Sequence, residues 1–179
     1  SLDADERVSP ELKEEIFDLF QNDNPEIDGG YYCPRKVYYL GKWIKHSGWY
    51  PDYKLRLFRK DNGEWKGYNP HDRFESVGKT KRLNGDILHY PYQDLSSHLT
   101  KINSYTTIMA KELFKRGKKS NIFKLIFNPT FRIFRTYILK LGFLDGVHGL
   151  VISIIAGYYV FLKYLKLWEI YKLGKEDRE

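Results

Sequence analysis

The chain has 179 residues, enough for one domain with a hydrophobic core and barely enough for two. Hydrophobic residues make up 42% and aromatic residues 17%, which excludes a disordered chain although 30% of the residues are charged. The net charge of +7 favours anionic partners such as phosphates, lipid headgroups or nucleic acid. The single cysteine, Cys33, excludes an internal disulfide and a cysteine-based zinc site.

The first third of the chain predicts a helix followed by two strands. Ser9 and Pro10 suit the N-cap and the first position of a helix, and an apolar face at helical spacing follows them. Residues 21–30 have the composition of a loop. Strands are predicted over residues 31–39 and, after a loop rich in aromatic and basic residues, over residues 54–59.

The middle of the chain predicts short strands and then a helix. Residues 74–77 and 79–83 suit strands, and the Asn84-Gly85 pair predicts a hairpin turn into a strand over residues 87–90. A helix is predicted from Ser96 to Gly117. Its predicted apolar face consists of Leu99, Ile102, Tyr105, Met109 and Leu113.

The last third predicts two apolar helices with basic residues at their margins. Asn128-Pro129 predicts the start of a helix over residues 131–141, and the glycine-rich residues 142–149 predict a break. The apolar run over residues 149–162 is shorter than the roughly 20 residues that a spanning helix needs. A helix lying in the membrane interface and a helix packed in the core both remain open. The residues expected to contact a membrane are Arg132, Arg135, Lys140, Lys163, Lys166 and Trp168.

Asp3 and Asp5 are the first candidates for chemistry. Two carboxylates at positions i and i+2 can share a divalent cation through oxygen ligands, with phosphates completing the coordination shell. Such a cation neutralises the charge that develops on a nucleoside diphosphate leaving group. An acidic pair before a helix also arises from simple compensation of the helix dipole, and that interpretation stays open.

Two histidine-containing segments supply further candidates. Asp72, which follows His71 in a predicted loop near aromatic residues, suits a general base acting on a sugar hydroxyl, or else is a surface acid. His89, at the end of the last predicted strand, can face a metal or a phosphate, or else is a structural histidine.

Aromatic and arginine side chains provide the candidates for substrate binding. Arg56 and Arg59 suit either paired hydrogen bonds to a diphosphate or structural ion pairs. Four aromatic side chains suit stacking on a sugar ring or packing in the core, and Trp65 is expected in the core: Trp43, Trp49, Tyr50 and Trp65.

Taken in order, several segments resemble one family. LDADERVSPEL, GWYPDYKLRLFRK, the His71-Asp72 pair and GDILHYPYQDLSSHLTKINSYT resemble glycosyltransferase family 2, the inverting class with the GT-A fold. FNPTFRIFRTYILKLGFLDGVHGL resembles the C-terminal extension of bacterial lipopolysaccharide core beta-glucosyltransferases. The resemblance implies an α/β fold, with residues 1–120 as the acceptor-side part of the GT-A domain, a mixed sheet with a hairpin. Residues 121–179 would form a basic, amphipathic, membrane-interfacial helical extension.

The resemblance also implies roles for single residues. Asp3 and Asp5 match the acidic metal-binding motif, with Asp5 on Mg²⁺ or Mn²⁺ and Asp3 towards the ribose or the metal. Asp72 matches the catalytic base, although glutamate is commoner there in this branch. His89 matches the histidine that completes the metal or diphosphate site, and His71 joins the substrate-binding candidates.

The function implied is transfer of a hexose, with inversion, from a nucleotide sugar such as a UDP-hexose to a lipid-linked or lipopolysaccharide core acceptor. The expected location is cytoplasmic, peripheral to the inner face of the bacterial plasma membrane. Because the nucleotide-binding half of a GT-A domain would precede Ser1, we expect the chain to be the C-terminal part of an enzyme and inactive alone.

The sequence is compatible with three other interpretations. The first is a non-catalytic basic domain that binds a membrane interface. The second is a family 2 transferase that acts on polyprenyl phosphate or another cell-wall glycan. The third, nucleic-acid binding, is disfavoured because the positive charge is spread through amphipathic helices and no stacking motif is recognisable.

Overall fold

The computed structural model describes residues 1–21, 29–66 and 73–174. In chain order its elements are β1 (Glu6–Val8), α1 (Pro10–Gln21), β2 (Gly30–Tyr39), β3 (Lys42–Trp43), β4 (Asp52–Leu57), β5 (Gly63–Lys66), β6 (Arg73–Ser76), β7 (Thr80–Arg82), β8 (Ile87–His89), α2 (Leu95–Lys115), α3 (Ile122–Phe134) and α4 (Val147–Leu173). The contacts divide the chain into two compact units. Unit 1 consists of Ser1–Tyr38 and Trp49–Pro91, and unit 2 of Tyr39–Gly48 and the chain from Tyr92 onward. The functional division at residue 120 stays a prediction.

β2 is the centre of the mixed sheet in unit 1. β4 pairs antiparallel with β2 along one edge, with Tyr31 opposite Leu57. Along the other edge β7 and β8 both run parallel to β2, and β1 pairs antiparallel with β8. The mixed α/β architecture expected from the sequence is confirmed, and the sheet brings β1 beside the end of β8.

The predicted hairpin at Asn84-Gly85 is wrong. β7 and β8 run in the same direction along β2. Asn84 and Gly85, which lie between these two strands, therefore do not reverse the direction of the chain. The amides of Asn84 and Gly85 each donate to the Glu15 carboxylate of α1 at 2.9 Å. A Cβ on Gly85 would lie 2.3 Å from the Cα of Leu12, so this glycine admits the close approach of α1. The antiparallel neighbours in this region are β5 and β6.

The core of unit 1 lies between α1 and one face of the sheet. The predicted helix start is confirmed, because the Ser9 hydroxyl accepts a hydrogen bond from the Leu12 amide at 3.1 Å. Leu12 then packs against buried Tyr31, Cys33, Leu83 and Ile87.

α2 forms where it was predicted, with the Asp94 carboxylate capping it through the Ser97 amide at 2.7 Å. Its predicted apolar face is confirmed in part, because Ile102 is buried and Met109 and Leu113 are half-buried, but Leu99 and Tyr105 are 39% and 42% exposed. The buried positions are His98, Ile102, Thr106 and Ala110. Two of these are polar, and each has a hydrogen-bond partner that makes its burial possible. The Thr106 hydroxyl donates to the Ile102 carbonyl, and His98 Nδ1 is hydrogen-bonded to the Tyr39 hydroxyl.

α3 begins earlier than Asn128-Pro129, so that predicted start is wrong. Asn121 caps the helix by accepting from the Lys124 amide at 2.9 Å, and Pro129 lies inside the helix. A π-helical turn, Arg135–Leu139, continues the helix. α4 approaches α3 closely where a Cβ on Gly157 would lie 3.1 Å from the Pro129 carbonyl oxygen.

α4 is longer than the apolar run that predicted it. It continues through the basic residues after position 162 and has 27 residues, packing against α2 and α3. Among the described residues it is the one helix with the length and apolar composition needed to cross a membrane. Within its most apolar stretch of 18 residues, 28% is buried. The predicted break before it is confirmed as a short 3-10 turn over Gly142–Asp145.

Candidate functional site

The pairing of β1 with β8 brings together two of the predicted metal-binding residues. Glu6 lies opposite His89 in the register, and the Tyr90 amide donates to the Asp5 carbonyl at 2.9 Å. Asp5 Oδ2 then lies 3.4 Å from His89 Nε2. Residues 84 positions apart in sequence thus meet at the end of the sheet.

Asp3, the third predicted metal residue, lies against Arg56. Its carboxylate accepts a short hydrogen bond from Arg56 Nη2, and its side chain is 55% exposed. No cluster of three His, Cys, Asp or Glu side chains suited to a metal occurs among residues 1–21, 29–66 and 73–174. The assignment of a metal to Asp3, Asp5 and His89 stays a prediction. His71 and Asp72, the predicted substrate contact and catalytic base, lie outside the described residues.

Glu6 is a central charge of this site that the sequence analysis missed. Its side chain is fully buried, and its Oε1 accepts from Arg56 Nη2 at 2.8 Å and from Arg35 Nη1 at 3.3 Å. Arg35 also donates to Asp52 at 2.6 Å. A buried carboxylate between two guanidiniums fixes β1 against β2 and β4, because each ion must keep its partners when desolvated. A charged first residue in a three-residue strand gives little sequence signal for such a role.

His89 carries a buried polar atom that lacks a partner. Its Nδ1 forms no hydrogen bond within the described part of the chain. Burial, and then the nearby charge of Arg35, lower the pKa of His89 below its usual value of 6.5. The ring is therefore neutral at pH 7, with one protonated nitrogen. If Nε2 donates to Asp5, the lone pair of Nδ1 is buried without a hydrogen-bond partner among the described residues.

The donor set at this end of the sheet fits a hard divalent cation. Asp5 offers carboxylate oxygens, and the neutral imidazole of His89 offers nitrogen. Carboxylate and phosphate oxygens are the ligands that Mg²⁺ and Mn²⁺ prefer in proteins, whereas imidazole is more typical of zinc, copper and iron sites. Phosphate oxygens of a bound substrate would complete such a shell.

Tyr50, a predicted sugar contact, is held by Asp86. Its hydroxyl donates to Asp86 Oδ1 at 3.0 Å, and Lys36 pairs with the other oxygen of the same carboxylate at 3.2 Å. Burial and then the hydrogen bond to Asp86 raise the pKa of Tyr50 to about 12. The hydroxyl therefore stays protonated, and its proton is used in the hydrogen bond to Asp86.

The remaining candidates in unit 1 divide between surface and half-buried positions. Trp49 is half-buried. The prediction that Trp65 lies in the core is wrong, because this side chain is 53% exposed and contacts Phe58 and Phe74 with its edge. Arg59 forms an exposed ion pair with Asp61 at 3.6 Å.

In unit 2, Trp43 ends the short strand β3, and Asp145 holds the loop that follows it. Asp145 is 2% exposed, and its carboxylate accepts from the amides of Lys45 and His46 at 3.2 and 2.9 Å. Its carbonyl accepts from the ammonium of Lys42 at 3.0 Å. The sequence analysis placed Asp145 only in a break, since nothing local shows that a carboxylate about 100 residues away fixes this loop.

The predicted membrane-contacting residues differ in their surroundings. The ammonium of Lys166 donates to the carbonyl of Asn103 at 2.6 Å and to the hydroxyls of Thr106 and Thr107 at 2.9 and 2.7 Å. It therefore joins α4 to α2. The side chains of Arg132, Arg135, Lys140 and Trp168 are exposed, and Lys163 is half-buried.

Curated proteins similar to this chain are glycosyltransferases. An uncharacterized glycosyltransferase of Rickettsia conorii is 30% identical over 94% of the chain and 63% of its own length. A second, of Rickettsia typhi, is 29% identical over 95% of the chain and 61% of its own length. The lipopolysaccharide core biosynthesis glycosyltransferase LpsC of Rhizobium meliloti is 25% identical over 97% of the chain and 64% of its own length.

The chain thus spans less than two thirds of the length of these relatives. No family model matches the chain, and no solved structure matches it significantly. The mixed sheet followed by helices is consistent with a GT-A-like fold. The predicted resemblance is confirmed: nearly the whole chain is similar to bacterial glycosyltransferases, one of which is named for lipopolysaccharide core biosynthesis.

Proposed function

We propose that this chain is the acceptor-side part of an inverting hexosyltransferase of glycosyltransferase family 2. Its donor is a nucleotide sugar, with a UDP-hexose favoured, and its acceptor is a lipid-linked or lipopolysaccharide core glycan. The observation that carries the proposal is the Asp5–His89 pair at 3.4 Å, within a chain similar to glycosyltransferases over nearly its whole length.

The neutral imidazole of His89 and the carboxylate of Asp5 are the groups that would hold Mg²⁺ or Mn²⁺. When bound, the cation supplies charge neutralisation at the diphosphate leaving group. Arg35 and Arg56 act on the same site indirectly. By enclosing Glu6 they hold β1, and therefore Asp5, in one position before substrate arrives. Asp3 balances the remaining charge of Arg56.

Transfer follows a single displacement. The acceptor hydroxyl oxygen attacks the anomeric carbon from the face opposite the diphosphate. As the new carbon–oxygen bond forms, the bond from the anomeric carbon to the phosphate oxygen breaks, and the electron pair leaves with the nucleoside diphosphate. Asp72 is proposed to accept the hydroxyl proton, and the configuration at the anomeric carbon inverts.

The test uses the full-length protein with a radiolabelled nucleotide sugar. Asp72→Asn should abolish transfer while nucleotide-sugar binding remains. Asp5→Ala and His89→Gln should lose metal-dependent binding of the nucleotide sugar, because each removes a proposed ligand. Asp61→Asn, which removes an exposed carboxylate from the same unit, is the control and should leave transfer unchanged. Retained turnover in Asp72→Asn would remove Asp72 as the base.

We further propose that unit 2 binds an anionic membrane surface. The basis is one face of α3 whose side chains are 49–71% exposed, here called the α3 apolar face: Ile122, Phe123, Ile126, Phe127, Phe131 and Phe134. α3 packs against α4 through Pro129 and Ile133. Soluble proteins rarely expose so many large apolar side chains together.

The charges around the α3 apolar face favour a lipid interface. Lys119, Arg132 and Arg135 are exposed cations on or beside the helix. A helix with an apolar face and cationic margins lies in the plane of a bilayer, with its apolar side in the acyl boundary. Each cation near anionic lipid adds about 1 kcal/mol of binding free energy.

Vesicle sedimentation tests this membrane contact. The protein should bind vesicles of phosphatidylcholine with phosphatidylglycerol more strongly than phosphatidylcholine alone. A double variant, Phe123→Ser with Phe127→Ser, should lose the binding. Phe17→Ser is the matched control, because Phe17 is 61% exposed but lies on α1 in unit 1. An equal loss in the control would contradict the assignment. Vesicle binding by a full-length protein without transferase activity would favour the non-catalytic interfacial domain.

A further inference from the structure

The sheet of unit 1 has a second face that α1 does not cover. Tyr31 and Cys33 point into the core under α1, so the alternation of a strand directs Tyr32 to the other face. The register places Arg82 opposite Tyr32 and Tyr53 opposite Pro34, on that same face. His89 pairs with Val37, which lies four residues after Cys33 on β2 and therefore points to the same face as Cys33. The Asp5–His89 pair therefore lies on the opposite side of the sheet.

On this second face is a cleft of about 630 Å³. It is lined by residues Tyr32, Tyr53, Thr80, Lys81 and Arg82, of which Lys81 lies opposite Tyr31 in the register and so directs its side chain to the α1 side. Both tyrosines are half-buried, whereas the three residues of β7 are exposed. The cleft is thus open to solvent, and two half-buried tyrosines form its base.

Arg82 is held in place without a carboxylate partner. Its guanidinium carbon lies 4.5 Å from the centre of the Tyr53 ring. Within the described part of the chain it forms no salt bridge, in contrast to Arg35 and Arg56 on the other face. A guanidinium stacked on an aromatic ring keeps its planar set of donors oriented, so little conformational entropy is lost when an anion binds.

We propose that this cleft binds a pyranose that carries a negatively charged substituent, a phosphate or a carboxylate. The tyrosine rings suit the apolar face of a sugar, and their hydroxyls suit its polar edge. Arg82 can form paired hydrogen bonds with the anionic group, and the hydroxyl of Thr80 lies on the same face as a further donor. Binding here requires neither Asp5 nor His89, so the cleft is a second glycan site and its test is independent of sugar transfer.

Ligand-observed NMR and titration calorimetry test the cleft with defined probes. Glucose 6-phosphate and glucuronate are the charged pyranoses, glucose is the neutral one, and inorganic phosphate is the anion without a ring. Both charged pyranoses should bind more tightly than glucose and than inorganic phosphate. Equal binding of glucose or of phosphate alone would overturn the proposal, as would no binding of either charged pyranose.

Variants localise the binding. Arg82→Gln should weaken binding of glucose 6-phosphate by about 10-fold, and Arg82→Lys by less, because lysine keeps the charge and loses the planar donors. Lys79→Gln is the matched control, since it removes the same charge from an exposed neighbouring position outside the cleft. An equal loss in Lys79→Gln would overturn the site.

A measurement on the unmodified protein covers the case in which a variant fails to fold. Backbone amide resonances of Thr80, Lys81 and Arg82 should shift during titration with glucose 6-phosphate, and those near Asp5 and His89 should not. Shifts confined to the Asp5–His89 end of the sheet would overturn the second site while leaving the proposed transferase site intact.

Discussion

His98 makes the stability of unit 2 depend on pH. The side chain is 4% exposed, its Nδ1 lies 2.9 Å from the Tyr39 hydroxyl, and its ring stacks on Tyr92 with centroids 3.9 Å apart. Burial, and then the positive charge of Lys101, lower the pKa of His98 from 6.5 to about 4. The folded protein therefore keeps this ring neutral under conditions in which the unfolded chain protonates it.

The sign and size of the effect follow from these two pKa values. Above pH 6.5 neither state binds the proton, and His98 adds no pH dependence. As the pH falls from 6.5 towards 4, the unfolded state takes up a proton that the folded state rejects, so stability falls. Linkage gives a loss of about 2 kcal/mol at pH 5, approaching about 3 kcal/mol at lower pH.

Urea unfolding at pH 7.5 and pH 5.0 measures this loss. His98→Gln removes the titrating group, so the wild type should lose about 2 kcal/mol more than the variant between the two pH values. His89 also has a lowered pKa, but its contribution is present in both proteins and cancels. His148→Gln, at a half-exposed ring bonded to the Leu40 carbonyl, is the control. The same pH dependence in wild type and His98→Gln would refute the reasoning.

Further predictions concern packing and charge. Gly149→Ala should lower stability by at least about 3 kcal/mol in thermal unfolding, because its Cβ would lie 1.7 Å from the Gly142 carbonyl oxygen. Asp145→Ala should cost about 2–4 kcal/mol by urea unfolding, since two amides and a hydroxyl lose their acceptor. Lys166→Met should destabilise the protein by about 1–2 kcal/mol in the same assay, while vesicle sedimentation stays unchanged, because the ammonium is bound to α2. Glu6→Gln should cost about 3 kcal/mol, since two half-buried guanidiniums lose their fully buried anionic partner, and should weaken metal-dependent nucleotide-sugar binding in the full-length protein.

The parts of the fold that local chemistry determines could be predicted from the sequence. Ser9 and Pro10 mark the start of α1, because capping depends on residues only three positions apart. Tyrosine and valine content predicted β2, whose bounds differ from the prediction by one residue. The α/β class followed from the same local patterns.

The errors arise where a distant element changes the meaning of a local pattern. Asn84-Gly85 has the sequence of a tight turn, but the carboxylate of Glu15 on α1 binds both amides, and the strands on either side run in the same direction. On α2, periodicity favoured the apolar positions, yet His98 is buried because Tyr39 supplies a hydrogen-bond partner. Hydrophobic periodicity cannot detect a polar group that is satisfied from elsewhere in the chain.

The candidate site shows the same division. The resemblance implied a chemical role for Asp5 and His89, which stays a prediction. Their proximity follows from the β1–β8 register, which no sequence pattern gave. Glu6 was missed because its role depends on Arg35 and Arg56, which are 29 and 50 positions away. The role of Asp72 as catalytic base stays a prediction.

The segment GFLDG, among the most specific parts of the resemblance, has a structural role in unit 2. Its aspartate, Asp145, accepts the amides of Lys45 and His46, and the absence of a side chain on Gly149 lets α4 approach the carbonyl of Gly142. These contacts fix the loop that directly follows Trp43 at the end of β3. A ring held in advance loses little conformational entropy when a sugar stacks on it, so more of the contact energy remains as affinity. The resemblance in this segment therefore bears on sugar binding by Trp43 only indirectly, because Asp145 makes the loop after Trp43 rigid. Asp145→Ala removes that rigidity and leaves the Trp43 ring in place, so it separates the two contributions to sugar affinity.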